Sequence, residues 1–123
     1  MFELRRTFFI ESARSLPQLP EGHPCRRLHG HSFQILLVLR GDLDPKIGWV
    51  YDFHEIDTVA SPILKELDHR VLNEVPGLEN PTSEKLCVYL YEKLRPSLPL
   101  LHQVIIRETR DTECRYPVRA GDV

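Results

Sequence analysis

The clearest pattern in the chain is an alternation from His29 to Gly41, in which His29, His31, Phe33, Ile35, Leu37 and Leu39 share one face. Side chains of a strand alternate with period two, so this segment predicts a β-strand. Phe2–Glu11, rich in Phe, Ile, Leu and Thr, predicts another before it. Between them Ser12–Arg27 carries Pro17, Pro20, Gly22 and Pro24 and reads as a long loop. Long ordered loops in small domains are often functional. Gly41-Asp42 opens a turn, and Trp49–Phe53 reads as core and helix entry.

Ile56, Val59, Ala60, Ile63, Leu64 and Leu67 then recur at helical spacing, with Asp52 as the cap of a helix starting near Phe53. Pro62 lies inside that pattern and predicts a kink or break. Asp68–Asn80 is a second loop. Thr82 can cap a second helix, Ser83–Leu94, with Leu86, Tyr89, Leu90 and Leu94 facing inward. Val104, Ile106 and Glu108 alternate with Ile105, Arg107 and Thr109 in a last long strand, and Arg115–Val118 extends the sheet. Strands grouped apart from helices predict an α+β fold, an antiparallel sheet with helices on one face.

Composition narrows the function classes. The 123 residues make one domain, 1–123, with no internal repeat. Sixteen basic against eighteen acidic residues give a formal charge of -2, which argues against a nucleic-acid partner. The longest apolar run, Ile35–Leu39, is far below the roughly 18 residues of a membrane span. Glu3, Arg5 and Arg6 near the start do not fit a signal peptide. Three cysteines, an odd number, point to reduced thiols and a cytoplasmic protein. A small enzyme or a binding module remains.

Several residues can carry chemistry. His29 and His31, two apart on one strand, point to the same side and offer two of the three nitrogens that a catalytic zinc site uses. The same spacing also fits a histidine pair at a hairpin end with no metal. Cys25 is either a thiolate favoured by Arg26 and Arg27 or a small apolar filler. Asp68-His69 is either a carboxylate that fixes an imidazole's tautomer and raises its basicity or a helix-end pair. Neighbours in sequence rarely bond each other directly, so Asp68 is expected to act beside His69. Glu108, on an apolar strand face, is either an edge-strand residue in solvent or needs a partner. An internal arginine, or a ligand with two parallel N–H donors, would serve.

Taken together the residues resemble one family. Cys25-Arg26-Arg27-Leu28-His29-Gly30-His31 resembles the Cys-x-x-x-His-Gly-His signature of the 6-pyruvoyl-tetrahydropterin synthase family. Leu67-Asp68-His69, Pro81-Thr82-Ser83-Glu84 and Glu108-Thr109 resemble its further motifs, in the same order. Pro20-Glu21-Gly22-His23 and Gly77-Leu78-Glu79-Asn80 resemble the bacterial branch, 6-carboxy-tetrahydropterin synthase, which acts on the path to the queuosine base of tRNA. The resemblance implies a T-fold, a four-stranded antiparallel sheet with two helices on one face. It also implies assembly as trimers paired into homo-hexamers, with active sites at subunit contacts. The implied activity is a lyase on 7,8-dihydroneopterin triphosphate that releases acetaldehyde and triphosphate. Cys25, Asp68 and His69 would be catalytic. Glu108, Thr82 and Glu84 would bind the pterin, and His29 and His31 would hold zinc.

One position departs from this pattern. The family's third zinc histidine lies in a segment like Ala-Ala-His-Arg-Leu, after the first strand. Here that segment reads Ser12-Ala13-Arg14-Ser15-Leu16. Arg14 is a permanent cation with no lone pair for a metal. Two expectations follow: an active zinc lyase, or a divergent homologue that binds a pterin without zinc and without the standard reaction. In the second, Arg14 takes the metal's place.

Overall fold

Two thirteen-residue strands, β1 (Phe2–Arg14) and β2 (His29–Gly41), run antiparallel in one unbroken ladder from Phe2↔Gly41 to Arg14↔His29. The coordinates are a computed structural model describing residues 1–122; Val123, at the end of the expected domain, lies outside the described residues. Helix α1 (Phe53–Lys65) and helix α2 (Ser83–Leu94) follow. Strands β3 (Leu101–Arg107) and β4 (Cys114–Tyr116) complete an antiparallel sheet ordered β1-β2-β3-β4.

The alternation of β2 sets the layers. Phe33, Ile35, Leu37 and Leu39 are fully buried and pack with Ile56, Ala60 and Leu64 of α1 and Leu86, Leu90 and Leu94 of α2. Burying each such side chain contributes about 1.5–3 kcal/mol. Both helices therefore lie on this face. The opposite face holds a smaller cluster of Leu36, Val38 and Ile105. Each helix starts as its cap predicts: Asp52 accepts from the His54 amide at 2.9 Å, and Thr82 from the Lys85 amide at 3.1 Å.

Several expectations are corrected. The strand expected to end at Glu11 continues to Arg14, because Ser12, Ala13 and Arg14 pair with His31, Gly30 and His29. Ala13 also bridges Val71 on the other side of β1. Arg14 thus belongs to the sheet and not to the loop. Helix α1 does not break at Pro62 but runs one more turn to Lys65. The proline removes a single hydrogen bond near the end, and burial of Ala60 and Leu64 holds that turn in place. Strand β3 stops at Arg107, so Glu108 and Thr109 lie just past it. Strand β4 ends at Tyr116, before Pro117, which has no N–H for a ladder. Trp49 and Phe53 are not core; each is about half exposed, at 47% and 49%.

Candidate active site

The register of β1 with β2 brings the chemistry to one end of the sheet. Residues opposite each other in an antiparallel pair share a face. Arg14 therefore stands beside His29, and Ser12 beside His31, on the helix side. The two imidazoles meet edge to face, with ring centres 5.0 Å apart. His29 Nδ1 lies 2.7 Å from the Arg27 carbonyl oxygen. A carbonyl only accepts, so Nδ1 carries the proton, and in the neutral ring the lone pair is on Nε2. That Nε2 is buried without a hydrogen-bond partner.

Arg14 is only 3% exposed. Burying a guanidinium is costly unless it is paired. Its Nη2 donates to Glu108 Oε2, its Nη1 donates to the Pro81 carbonyl at 3.1 Å, and its Cζ lies 5.2 Å from the centre of the Phe33 ring. One side chain thus joins the end of β1, the start of α2 and the residue after β3. Of the two partners that the sequence allows Glu108, the structure supplies the internal arginine. His31 Nε2 also lies 3.6 Å from Glu108 Oε2. Burial holds the His31 pKa below its ordinary value, and the Arg14 charge adds to that, while Glu108 pulls the other way.

Asp68 and His69 are tied to the far side of β1. The Glu11 amide donates to Asp68 Oδ1 at 2.8 Å, and the His69 amide donates to the Glu11 carbonyl at 2.6 Å. Ser12, itself buried, donates to the Leu67 carbonyl at 2.6 Å. His69 sits at φ +57°, a left-handed conformation uncommon for a residue with a side chain. Its Nδ1 reaches Asp68 Oδ2 at 3.0 Å. Asp68 thus bonds His69 directly, contrary to the expectation for neighbours in sequence. The Glu11 amide, with the His69 ring second, keeps the Asp68 carboxyl below the usual carboxylate range.

Cys25 lies in the 3-10 turn Pro24–Arg26 and is half-buried. The His23 ring caps that turn by accepting from the Cys25 amide at 3.1 Å, and the Cys25 carbonyl accepts from the Leu16 amide at 2.9 Å. Among the described residues no hydrogen bond or ion pair links the Cys25 thiol to Asp68 or His69. A cavity of about 440 Å³ brings His31 and His69 together with Ser12 and Val71. A smaller one, about 220 Å³, is lined by Glu84 and Glu108 with Ser83 and Cys114. The His31–Glu108 contact lies between them.

Asn73 had no signal in the sequence. Its side chain accepts from the Ser15 amide at 2.9 Å and donates to the Ser15 carbonyl at 2.8 Å, as a strand neighbour would. It thereby pins the chain just after Arg14. A Ser12 or an Asn73 in a polar stretch carries no periodic mark, so only the long-range pairing reveals either residue.

A zinc ion at the two histidines would meet two imidazoles and, at the third position, a guanidinium. Two nitrogen donors beside a fixed cation do not fit a site that needs three neutral or anionic donors. Among the described residues no group of three His, Cys, Asp or Glu side chains is placed to hold a metal.

The sequence profile described as 6-pyruvoyl tetrahydropterin synthase matches residues 3–118. The chain belongs to the 6-pyruvoyl tetrahydropterin synthase family. It is 38% identical to the 6-carboxy-5,6,7,8-tetrahydropterin synthase of Synechocystis over 94% of this chain and 93% of that one. It is 40% identical to the dihydroneopterin monophosphate aldolase of Pyrococcus furiosus, over 58% of this chain and 60% of that one. The solved structure of the Caenorhabditis elegans 6-pyruvoyl tetrahydropterin synthase superposes with a TM-score of 0.87 at 28% identity, covering 96% of each chain. The four-stranded sheet with two helices on one face is thus the T-fold of this family. No helix among the described residues is long and apolar enough to cross a membrane.

Proposed function

We propose that the protein is a carbon–carbon lyase of the 6-carboxy-tetrahydropterin synthase type. Its substrate is 7,8-dihydroneopterin triphosphate, and it releases acetaldehyde and triphosphate to leave 6-carboxy-tetrahydropterin. The observation that carries this reading is the 38% identity to the Synechocystis enzyme along 94% of the chain. The convergence of His31 and Glu108 at one end of the sheet supports it.

The roles follow the family resemblance. Glu108 accepts from the N–H donors of the pterin at Oε1, since its contacts with Arg14 and His31 fall on Oε2. Thr82, at the start of α2, offers backbone contacts to the ring, and Glu84, which lines one cavity with Glu108, supports them. Cys25 moves protons on the pterin side chain, with Asp68 and His69 as its relay. The resemblance to the family supports a site completed between subunits of a homo-hexamer, a dimer of trimers. The reaction takes place in the cytoplasm, on the path to the queuosine base.

The test is incubation of the purified protein with 7,8-dihydroneopterin triphosphate under nitrogen, with the products read by chromatography and mass spectrometry. Acetaldehyde together with 6-carboxy-tetrahydropterin is the expected result. An unchanged substrate overturns the proposal. The Arg14–Glu108 pair favours a second reading, a homologue that binds the pterin without this reaction; an unchanged substrate in this assay together with pterin binding by calorimetry would select it.

A further inference from the structure

The end of the β1–β2 ladder holds two buried polar atoms without partners, Arg14 Nε and His29 Nε2. They belong to directly opposed residues and lie on the same face. One is an N–H that needs an acceptor. The other, with Nδ1 bonded to the Arg27 carbonyl, is in the neutral ring a lone pair that needs a donor. A metal cation would satisfy only the second and would face the guanidinium. A hydroxyl group satisfies both, because it accepts and donates at once.

Arg14 is also not free to leave. It is fixed by Glu108 and the Pro81 carbonyl and covered by Phe33. Swinging it out would strand Glu108 and open the core beside Phe33, so the positive charge is part of the folded site.

We propose that the Arg14 guanidinium is the resident cation of this site and that the site binds its ligand without a divalent metal. Arg14 orients the Glu108 carboxyl group toward the ring of the ligand. With His29 it receives a hydroxyl of the ligand's side chain. The ligand class is a pterin bearing a hydroxylated side chain. This ligand assignment rests on the pterin reading above, whereas the charge assignment rests on Arg14 alone.

The test has two independent readouts. Zinc per chain is measured by elemental mass spectrometry, on protein purified without chelator, incubated with zinc and desalted. Binding of 7,8-dihydroneopterin is measured by calorimetry with and without EDTA. The wild type is expected to carry far less than one zinc and to bind the pterin with the same affinity in both buffers. Arg14→His is expected to take up about one zinc per chain, since it restores three nitrogens. Arg14→Met, checked for folding by circular dichroism, is expected to lose about tenfold or more in pterin affinity. Arg14→Lys, which keeps the charge, is expected to lose less.

About one zinc on the wild type, or an EDTA effect of about tenfold on affinity, overturns the proposal. So does an unchanged affinity in folded Arg14→Met. No pterin binding in a zinc-free wild type whose Arg14→His variant takes up zinc overturns the pterin reading instead and upholds the charge assignment.

Discussion

Arg14 and Glu108 stand 94 residues apart in the chain and form one ion pair at the end of the sheet. The pair joins the first strand to the residue that follows the third. Arg14 is almost fully buried, and Glu108 is about a third exposed on its side chain. Losing one partner therefore has unequal consequences on the two sides.

Arg14→Met leaves a carboxylate that water can reach, and the expected loss of stability is about 1–3 kcal/mol. Glu108→Gln leaves a buried guanidinium without its counter-charge, and the expected loss is larger, about 3–5 kcal/mol. The double variant should lose less than the sum of the two. Urea unfolding of the four proteins measures this. Additive losses would mean that the two side chains do not stabilise each other.

Glu108→Gln also turns one acceptor into a donor facing donors. Where the variant remains folded, the affinity for 7,8-dihydroneopterin should fall by about 1–3 kcal/mol, or roughly 5- to 150-fold. Calorimetry at a temperature below the unfolding transition reads this directly. An unchanged affinity would reject Glu108 as the pterin anchor.

His69→Gly separates folding from chemistry. Histidine at φ +57° carries a conformational cost that glycine avoids. The greater freedom of glycine in the unfolded chain offsets that gain. The exposed pair with Asp68 contributes little. Stability should therefore stay within about 1 kcal/mol of the wild type, while lyase turnover drops by about a hundredfold or more. Full turnover in the glycine variant would reduce His69 to a turn residue.

Asp68 should shape the acid limb of stability. Its folded pKa lies below the ordinary 3.8. The unfolded chain then binds the proton more readily, so stability from this group is present above pH 3.8 and is lost as pH falls through the folded value. Asp68→Asn removes that slope. Acid-unfolding curves of variant and wild type that run parallel below pH 4 would show that the Glu11 amide does not hold the carboxylate.

Cys87 should be inert in the native protein. Burial, with Cys114 beside it, pushes its thiol far above the ordinary range, and its Sγ lies 3.8 Å from that of Cys114. Iodoacetamide at pH 8 is expected to modify the half-buried Cys25 and leave Cys87 untouched until urea is added. Rapid native labelling of Cys87 would mean that α2 opens away from the sheet.

The strands and helices were legible where burial imposes a period. The face of Phe33, Ile35, Leu37 and Leu39 repeats every second residue, and Ile56, Ala60 and Leu64 recur every fourth. The two caps were legible because Asp52 and Thr82 satisfy amides that every helix leaves open. The last turn of β1 was not, because Ser12, Ala13 and Arg14 mark no face by their polarity. Their strand conformation comes from β2 on one side and Val71 on the other.

The candidate site divides in the same way. The sequence by itself determined which residues were worth watching, since the motifs from Cys25 to His31, and at Asp68-His69, Thr82 and Glu108, are local. It also showed that a permanent cation, Arg14, stands where the family resemblance leads one to expect a third histidine. Only the tertiary structure decided where that cation's charge is used. Strand register, helix start and chain end meet around Arg14, and a contact between residues 94 apart leaves no trace in either neighbourhood. Ion pairing and burial depend on what the fold brings within a few ångströms, and that is a property of the packed chain as a whole.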